Sequence, residues 1–278
     1  MRYLNPLTDF GFKKIFAGPT GQPLLISLLN DVLALAAPIT AVQLENLEQL
    51  PDTPKHRRMI YDLLCVDQLE RTTLVEAQWA EQTWFKDRTL FYASHLLRRQ
   101  GQAGMKWNYR LKPVYVIAVL NHVLTGSAIK RVQLKDEANK VFYDKFQLAL
   151  VELPSFSKTV DQLETHLDHW LYFLKYAGEL AEMPTVFKDD VIERAFTMAE
   201  LYALSEEEQE RYQEELKHYR DELNMLHTAH EKGVAEGLEQ GLEQGLEQGL
   251  EQGLREAVAR LVASGIPLDQ AQRLLGIE

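Results

Sequence analysis

The runs RRMIYDLLCV at 57–66 and TTLVEAQWA at 72–80 decide the fold. Both are rich in β-branched and large apolar residues, and a polar stretch at 67–71 separates them, so together they read as a β-hairpin. Period-two alternation puts Asp62 on one face with Ile60, Leu64 and Val66, and Glu76 on one face with Thr72, Leu74 and Gln78. A loop over 67–71 sets residue 66 opposite 72 and 64 opposite 74. Asp62 then faces Glu76 directly, with Cβ atoms ~4.5–5.5 Å apart. Two like charges facing each other on a largely apolar surface are unfavourable unless something neutralises them. A divalent cation does so, and Mg²⁺ prefers one or two carboxylates completed by waters and phosphate oxygens. Gln78, one pleat further along, is placed to orient a bound water or a phosphate. The plain alternative is an edge hairpin with Asp62 at its rim and Glu76 in solvent, and the residues alone leave both open.

Upstream of the hairpin, PLTDFGFKKIF (6–16) reads as a short helix with Thr8 or Asp9 as its cap. QPLLISLLNDVLALA (22–36) reads as a more apolar helix closed by Pro38, and ITAVQLENL (39–47) as a strand. Downstream, a helix is predicted over 84–103, with Phe85, Leu90, Ala93 and Leu97 along one side. KPVYVIAVL (112–120) has the unbroken apolar character of a strand covered on both faces, and KFQLALVEL (145–153) is a further strand. Helices follow at about 159–177 and 188–202. The predicted body, residues 1–204, is therefore α/β, a mixed central sheet flanked by helices.

From Ser205 the composition changes. A charged, helix-forming stretch begins with Ser205 and Glu208 at capping-box spacing and runs into four perfect GLEQ repeats over 237–252. Glycine at every fourth position costs ~1 kcal/mol each relative to alanine in an isolated helix. A four-residue step turns an α-helix ~400°, so the leucine stripe drifts ~40° per repeat and favours right-handed winding if two such helices pack. Residues 205–254 thus read either as a solvated acidic stalk or as a self-association helix. A glutamate in every repeat excludes a membrane-embedded version. Residues 255–278 read as a small C-terminal helical cap.

The chain has 278 residues, a net charge of −11 and one cysteine, Cys65. An intrachain disulfide and a cysteine-based zinc cluster are excluded, and a reducing, cytoplasmic setting is expected. There is no apolar run long enough for a membrane span and no apolar leader at the N-terminus. The acidity is local: residues 1–200 carry a net −1, residues 201–252 a net −10, and the remainder is neutral. Between Lys86 and Lys112 seven basic residues accompany a single acid, Asp87, so the net charge does not exclude DNA as a partner. No phosphate-binding GxxxxGK[ST] loop, GxSxG elbow or HExxH helix occurs. His166, Asp168 and His169 read as surface residues of a helix, and Cys65 as core.

Five segments, NPLTDFGFKKIF (5–16), YDLLCVD (61–67), LVEAQ (74–78), FKDRTLFYASHLL (85–97) and LKPVYVIAVL (111–120), occur in an order and spacing that resemble the recombination-promoting nuclease (Rpn) family, also described as transposases of the PD-(D/E)XK superfamily. The resemblance covers essentially the whole chain. It implies a restriction-endonuclease-like core with a helical C-terminal extension, and it puts the first acid of the motif at Asp62 and the (D/E)-X-K element at Glu76-Ala77-Gln78. Tyr61 stands where the motif has proline, and Gln78 where it has lysine, which removes a cation. Asp9 corresponds to an accessory acid found in some members, and reads equally as a helix cap.

The resulting expectation is a Mg²⁺-dependent DNA endonuclease, a phosphodiester hydrolase of little sequence specificity that promotes DNA recombination. Asp62, Glu76 and the Ala77 carbonyl would hold the metal, and Gln78 would align water. Lys13, Lys14, Lys86, Arg88 and Tyr92 are the candidate DNA contacts, the last two one helical turn apart. Cutting both strands needs two active sites, so a homodimer is expected, with 205–254 as its clasp. Gln78 leaves open a catalytically weak or inactive nuclease fold that binds DNA or protein; a transposase-associated role is a third reading.

Overall fold

The computed structural model of the protein describes residues 2–45, 48–49, 59–79, 82–102, 108–188 and 191–277. Met1–Lys217 form one compact unit and His218–Glu278 a second.

The first unit is built on a six-stranded mixed sheet. Its strands are β1 (Val42–Leu44), β4 (Leu63–Asp67), β5 (Thr72–Gln78), β6 (Val114–Leu120), β7 (Ile129–Lys135) and β8 (Val141–Glu152), in the order β1-β4-β5-β6-β8-β7. The β4–β5 hairpin is antiparallel, β5, β6 and β8 run parallel, and β7 closes one edge antiparallel to β8. A separate two-stranded ladder joins β2 (Glu48–Gln49) to β3 (Met59–Ile60).

Both faces of the central strands are covered, which is why β6 reads as an unbroken apolar run and β5 is buried along nearly all of its length. On one face Cys65, Val75, Ile117 and Val151 join a large core with α1 (Asp9–Phe16), α2 (Gln22–Leu33), α4 (His166–Tyr176) and α5 (Val191–Met198), centred on the fully buried Trp170. On the other face Leu64, Leu74, Val114 and Val116 pack under Ala93 and Leu96 of α3 (Phe85–Arg98). The expected α/β architecture of a PD-(D/E)XK core with a helical extension is the one observed.

Several details differ from the sequence reading. The run at 57–66 is not one strand: β3 and β4 are separated at Tyr61-Asp62, where the chain leaves the ladder and Tyr61 is buried beneath α3; residues 57–58 lie outside the described residues. Of the strand expected over 39–47, Val42–Leu44 are in the sheet, and residues 46–47 lie outside the described residues. Helix α2 stops at Leu33, because Ala34 adopts the left-handed conformation (φ 50°), well before Pro38. The buried positions of α3 are Phe85, Thr89, Ala93 and Leu96, and Leu90, expected inside, is 50% exposed. The helix expected over 159–177 occupies only 166–176, started by a Thr165–Asp168 capping box. Of that expected over 188–202, Val191–Met198 are helical, and residues 189–190 lie outside the described residues.

Strand β7 was not legible at all. Its side chains are exposed apart from the half-buried Ile129, so no alternation marks it. Its Lys130, Arg131 and Lys135 suit an edge strand that must resist further pairing. Arg131 also reaches the C-terminus of α2, donating to the Val32 carbonyl at 2.8 Å.

Helix α6 runs from Glu206 to Ala263, started by the expected Ser205–Glu208 capping box. Within the first unit its Tyr212 and Leu216 are buried. Within the second unit the GLEQ repeats are helical, with Leu238, Leu242, Leu246 and Leu250 each 66–74% exposed. After Gly265, whose φ of +95° suits glycine, α7 (Leu268–Leu274) completes that unit with Ala271 buried. Among the described residues no helix is long and apolar enough to cross a membrane.

Candidate active site

The hairpin register is set by Leu63↔Val75, Leu64↔Leu74, Cys65↔Thr73 and Val66↔Thr72. Strand β5 therefore outruns β4 by three residues, Glu76, Ala77 and Gln78, which stay paired to β6 on the other side at Ala118, Val119 and Leu120. An amide left without a strand partner needs another acceptor. Asp62 supplies it: the Ala77 N–H donates to Asp62 Oδ2 at 2.7 Å. Asp62 thus sits against the end of β5 that β4 leaves unpaired, although it is outside β4 itself.

Glu76 and Gln78 are both buried, 7% exposed each, on the α3 side of the sheet. Gln78 Nε2 lies 3.4 Å from Glu76 Oε2, while Glu76 Oε1 is buried with no hydrogen-bond partner among the described residues. An unpaired buried carboxylate oxygen is costly, and such exceptions in folded proteins ask for an explanation such as an absent water or ion.

The electrostatics agree with this crowding. Burial raises the pKa of Asp62 above the ordinary carboxylate range, opposed by the Ala77 amide and reinforced by Asp9. Burial, and after it the charge of Asp62, raises Glu76. Lys13 and Arg88 act in the opposite direction on both carboxyls. The two acids, the exposed Asp9 and two cations therefore influence one another electrostatically.

The elements that supply these groups are fixed locally. In α1, Thr8 is the N-cap, its Oγ1 accepting the Gly11 amide at 3.0 Å, and Asp9 is exposed and paired with Lys13 one turn later at 2.6 Å. Gly11 is required: a Cβ there would meet the Asn5 carbonyl oxygen at 2.2 Å. Lys14 is paired with Glu208. In α3, Lys86 is exposed and Arg88 half-buried, with its guanidinium 5.8 Å from the Tyr92 ring centroid. Tyr92 in turn meets Tyr61 edge-to-face at 5.4 Å, so a stack of side chains runs from Arg88 to the residue preceding Asp62.

A match to the family model for PD-(D/E)XK nuclease family transposases extends over residues 6–229, most of the chain. The chain belongs to the PD-(D/E)XK nuclease family transposases. No curated protein and no solved structure matches it. That family match makes a nuclease-like, transposase-related function the coarse assignment.

The residues present suit a divalent cation: two neighbouring carboxylates, of which Glu76 is buried with an unpartnered oxygen and is costly to ionise beside Asp62. Among the described residues no group of three or more His, Cys, Asp or Glu is arranged to hold a metal, so the protein would offer two carboxylates and leave the remaining positions to backbone, water or substrate.

Sequence reasoning missed the roles of Tyr61, Glu208, Glu215 and Asp168. Tyr61 was read as a motif departure and is a buried prop for Tyr92. Glu208, read only as a helix cap, and Glu215 of α6 contact α1 from about 200 residues away, and nothing in a charged helical stretch marks those contacts. Asp168, read as a surface residue, is buried and accepts from Lys158 at 2.8 Å and from the Thr165 amide; His166 pairs with Asp31. They serve packing of α4.

Proposed function

We propose that the chain is a metal-dependent DNA endonuclease with Asp62 and Glu76 as its catalytic acids. The observation that carries this is the buried Glu76 carboxylate, unpartnered at Oε1 and set beside Asp62 at the end of a strand. Asp62, Glu76 and the Ala77 carbonyl would hold Mg²⁺ or a similar divalent ion. Such an ion supplies Lewis acidity for the phosphate and a water of lowered pKa. The chain's own groups do the rest. Gln78 presents an amide beside Glu76 that can donate to a phosphate oxygen or orient water, but as a neutral group it contributes no charge. Arg88 offers a guanidinium to the scissile phosphate, and Tyr92 a hydroxyl to its neighbour. Lys86, Lys13 and Lys14 extend the basic surface; of these, Lys13 and Lys14 must exchange Asp9 and Glu208 for phosphate. Contacts of this kind give salt-sensitive affinity with little sequence preference.

The finer assignments follow from that reading. The chemistry resides in residues 1–204, with 205–254 as a stalk that joins two copies and 255–278 as its cap; Asp9 assists the metal pair; the protein acts on DNA in the cytoplasm, in recombination of the Rpn kind. A covalently closed plasmid has no ends, so its Mg²⁺-dependent conversion to nicked and linear forms tests the endonuclease. An intact circle alongside a degraded linear fragment would mean an exonuclease. Binding without cleavage of either would favour the second reading, a nuclease fold retained for binding, for which the neutral Gln78 at the lysine position is the supporting feature.

A further inference from the structure

Helix α3 buries Phe85, Thr89, Ala93 and Leu96 against the sheet, at the three- and four-residue spacing of one helix face. Its outward side carries rings as well as charges: Phe91 is 56% exposed, and Trp84, at the helix start, 73%. Trp84, Phe91 and Arg98 recur at seven-residue intervals, two helical turns, and so follow one side of α3. Tyr109, 77% exposed on the segment that returns to β6, continues this line, because it borders one open groove with Ser94, Leu97 and Arg98. That segment is tied to the end of α3: the Lys112 amide donates to Gln100 Oε1 at 2.7 Å, and Gln100 Nε2 donates to the Lys112 carbonyl at 3.2 Å. Tyr109 itself takes a left-handed backbone (φ 60°), uncommon for a bulky residue and a form of strain that functional surfaces tend to retain. At the other end of the line Phe85, next to Trp84, packs with Ala118 and Leu120, the register partners of Glu76 and Gln78. The rings therefore begin beside the strands that form the candidate site.

We propose that this side of α3 is a stacking platform for single-stranded DNA: unpaired bases lie on Trp84, Phe91 and Tyr109, while Lys86, Arg98 and Arg110 hold the phosphates. The inference rests on the nuclease reading above and names its substrate as DNA with an unpaired segment. Between Lys86 and Lys112 the one acid is Asp87, so the surface is charged for a polyanion. Cations alone would serve a duplex, whose bases are already stacked inside; exposed rings add something that only unpaired bases can use. Every base has a π-face, so such a platform is tolerant of sequence. A protein partner is the poorer fit, since the cores of protein interfaces are depleted of charge and these rings are interleaved with cations.

The test is equilibrium binding by the full-length protein, in chelator so that nothing is cut, of a labelled single strand and of the same strand in a blunt duplex. Wild type is expected to prefer the single strand by at least about tenfold, the scale of one base stacked on one ring. Phe91→Ala and Tyr109→Ala should each lower single-strand affinity on the order of tenfold, and Phe91→Trp should restore it. Phe142→Ala, which removes an exposed ring from β8, is the control and should bind as wild type does. A readout that needs no alanine variant is tryptophan emission, which the single strand should quench in wild type and quench less in Trp84→Phe. Equal wild-type affinity for the two DNA forms, or single-strand affinity untouched by both alanine variants, would overturn the platform and leave the nuclease reading, judged by plasmid cleavage, intact. Absence of DNA binding, with a solution mass that falls in Phe91→Ala, would make the face a contact between copies and also overturn it. Single-strand binding by a protein that cuts no DNA would keep the platform and remove the nuclease.

Discussion

The Asp62 carboxylate accepts the Ala77 amide at 2.7 Å, taking the place beside β5 that a continuing β4 would have filled. The same contact brings Asp62 against Glu76, so one interruption of a strand both satisfies a backbone donor and assembles two acids. Without a cation that arrangement is electrostatically costly, and the cost is measurable.

Both carboxyls are raised by burial, and Glu76 further by Asp62. A carboxyl whose pKa is higher in the folded than in the unfolded chain binds more protons when folded, so stability falls as pH rises from about 4, the unfolded value. It continues to fall through the raised folded values. In chelator, wild type is therefore expected to lose Tm as pH rises from 5 towards 8 relative to Asp62→Asn. At pH 8 the variant should be the more stable by on the order of 1 kcal/mol, or ~2–4 °C. Adding Mg²⁺ should raise the wild-type Tm and leave that of Asp62→Asn little changed. Parallel melting curves across this range would show that the pair is not strained.

On the reading proposed above Gln78 takes the place of the motif lysine, and its amide lies 3.4 Å from the Glu76 carboxylate. Gln78→Ala is expected to lower the cleavage rate by roughly 10–100-fold, the usual scale for a lost donor at a reacting centre, with Tm almost unchanged. Gln78→Lys, which restores the cation, should equal or exceed wild type. A Gln78→Ala variant as fast as wild type would remove Gln78 from the site.

Arg88 lowers the pKa of both acids and stacks on Tyr92. Arg88→Ala is expected to weaken DNA binding and to reduce the slope of log affinity against log salt by about 1, as for the loss of one phosphate contact. An unchanged slope would make Arg88 a partner of the acids alone.

The overall sheet was legible because β6 is apolar throughout, β5 is rich in β-strand formers, and the hairpin has a polar connection of fixed length. The register 66–72 and 64–74 follows from that length and is the one observed. The interruption at Asp62 was not legible, since Tyr61 and Asp62 fit an alternating strand and only the Ala77 amide shows why the chain turns aside. Strand β7 was hidden by its exposure, and Glu215 by its distance in sequence from the helix it caps. Leu90 illustrates a limit of periodicity: apolar and correctly spaced, it faces solvent while Thr89 is buried.

The leucines of the GLEQ repeats lie exposed along α6 within the second unit. If the repeats join two copies, deleting residues 233–254 should reduce the solution mass, measured by light scattering, from dimer to monomer. A mass that remains dimeric after the deletion would place the contact elsewhere, and a monomeric wild type would dispose of the clasp.

The central claim is that Asp62 and Glu76 form a metal-dependent catalytic pair, and cleavage of supercoiled plasmid by wild type and Asp62→Asn, in Mg²⁺ and in chelator, tests it most directly. The expected result is nicking or linearisation by wild type in Mg²⁺ alone, reduced by at least about a thousandfold in Asp62→Asn. Equal cleavage by the two proteins, or cleavage that persists in chelator, would contradict it.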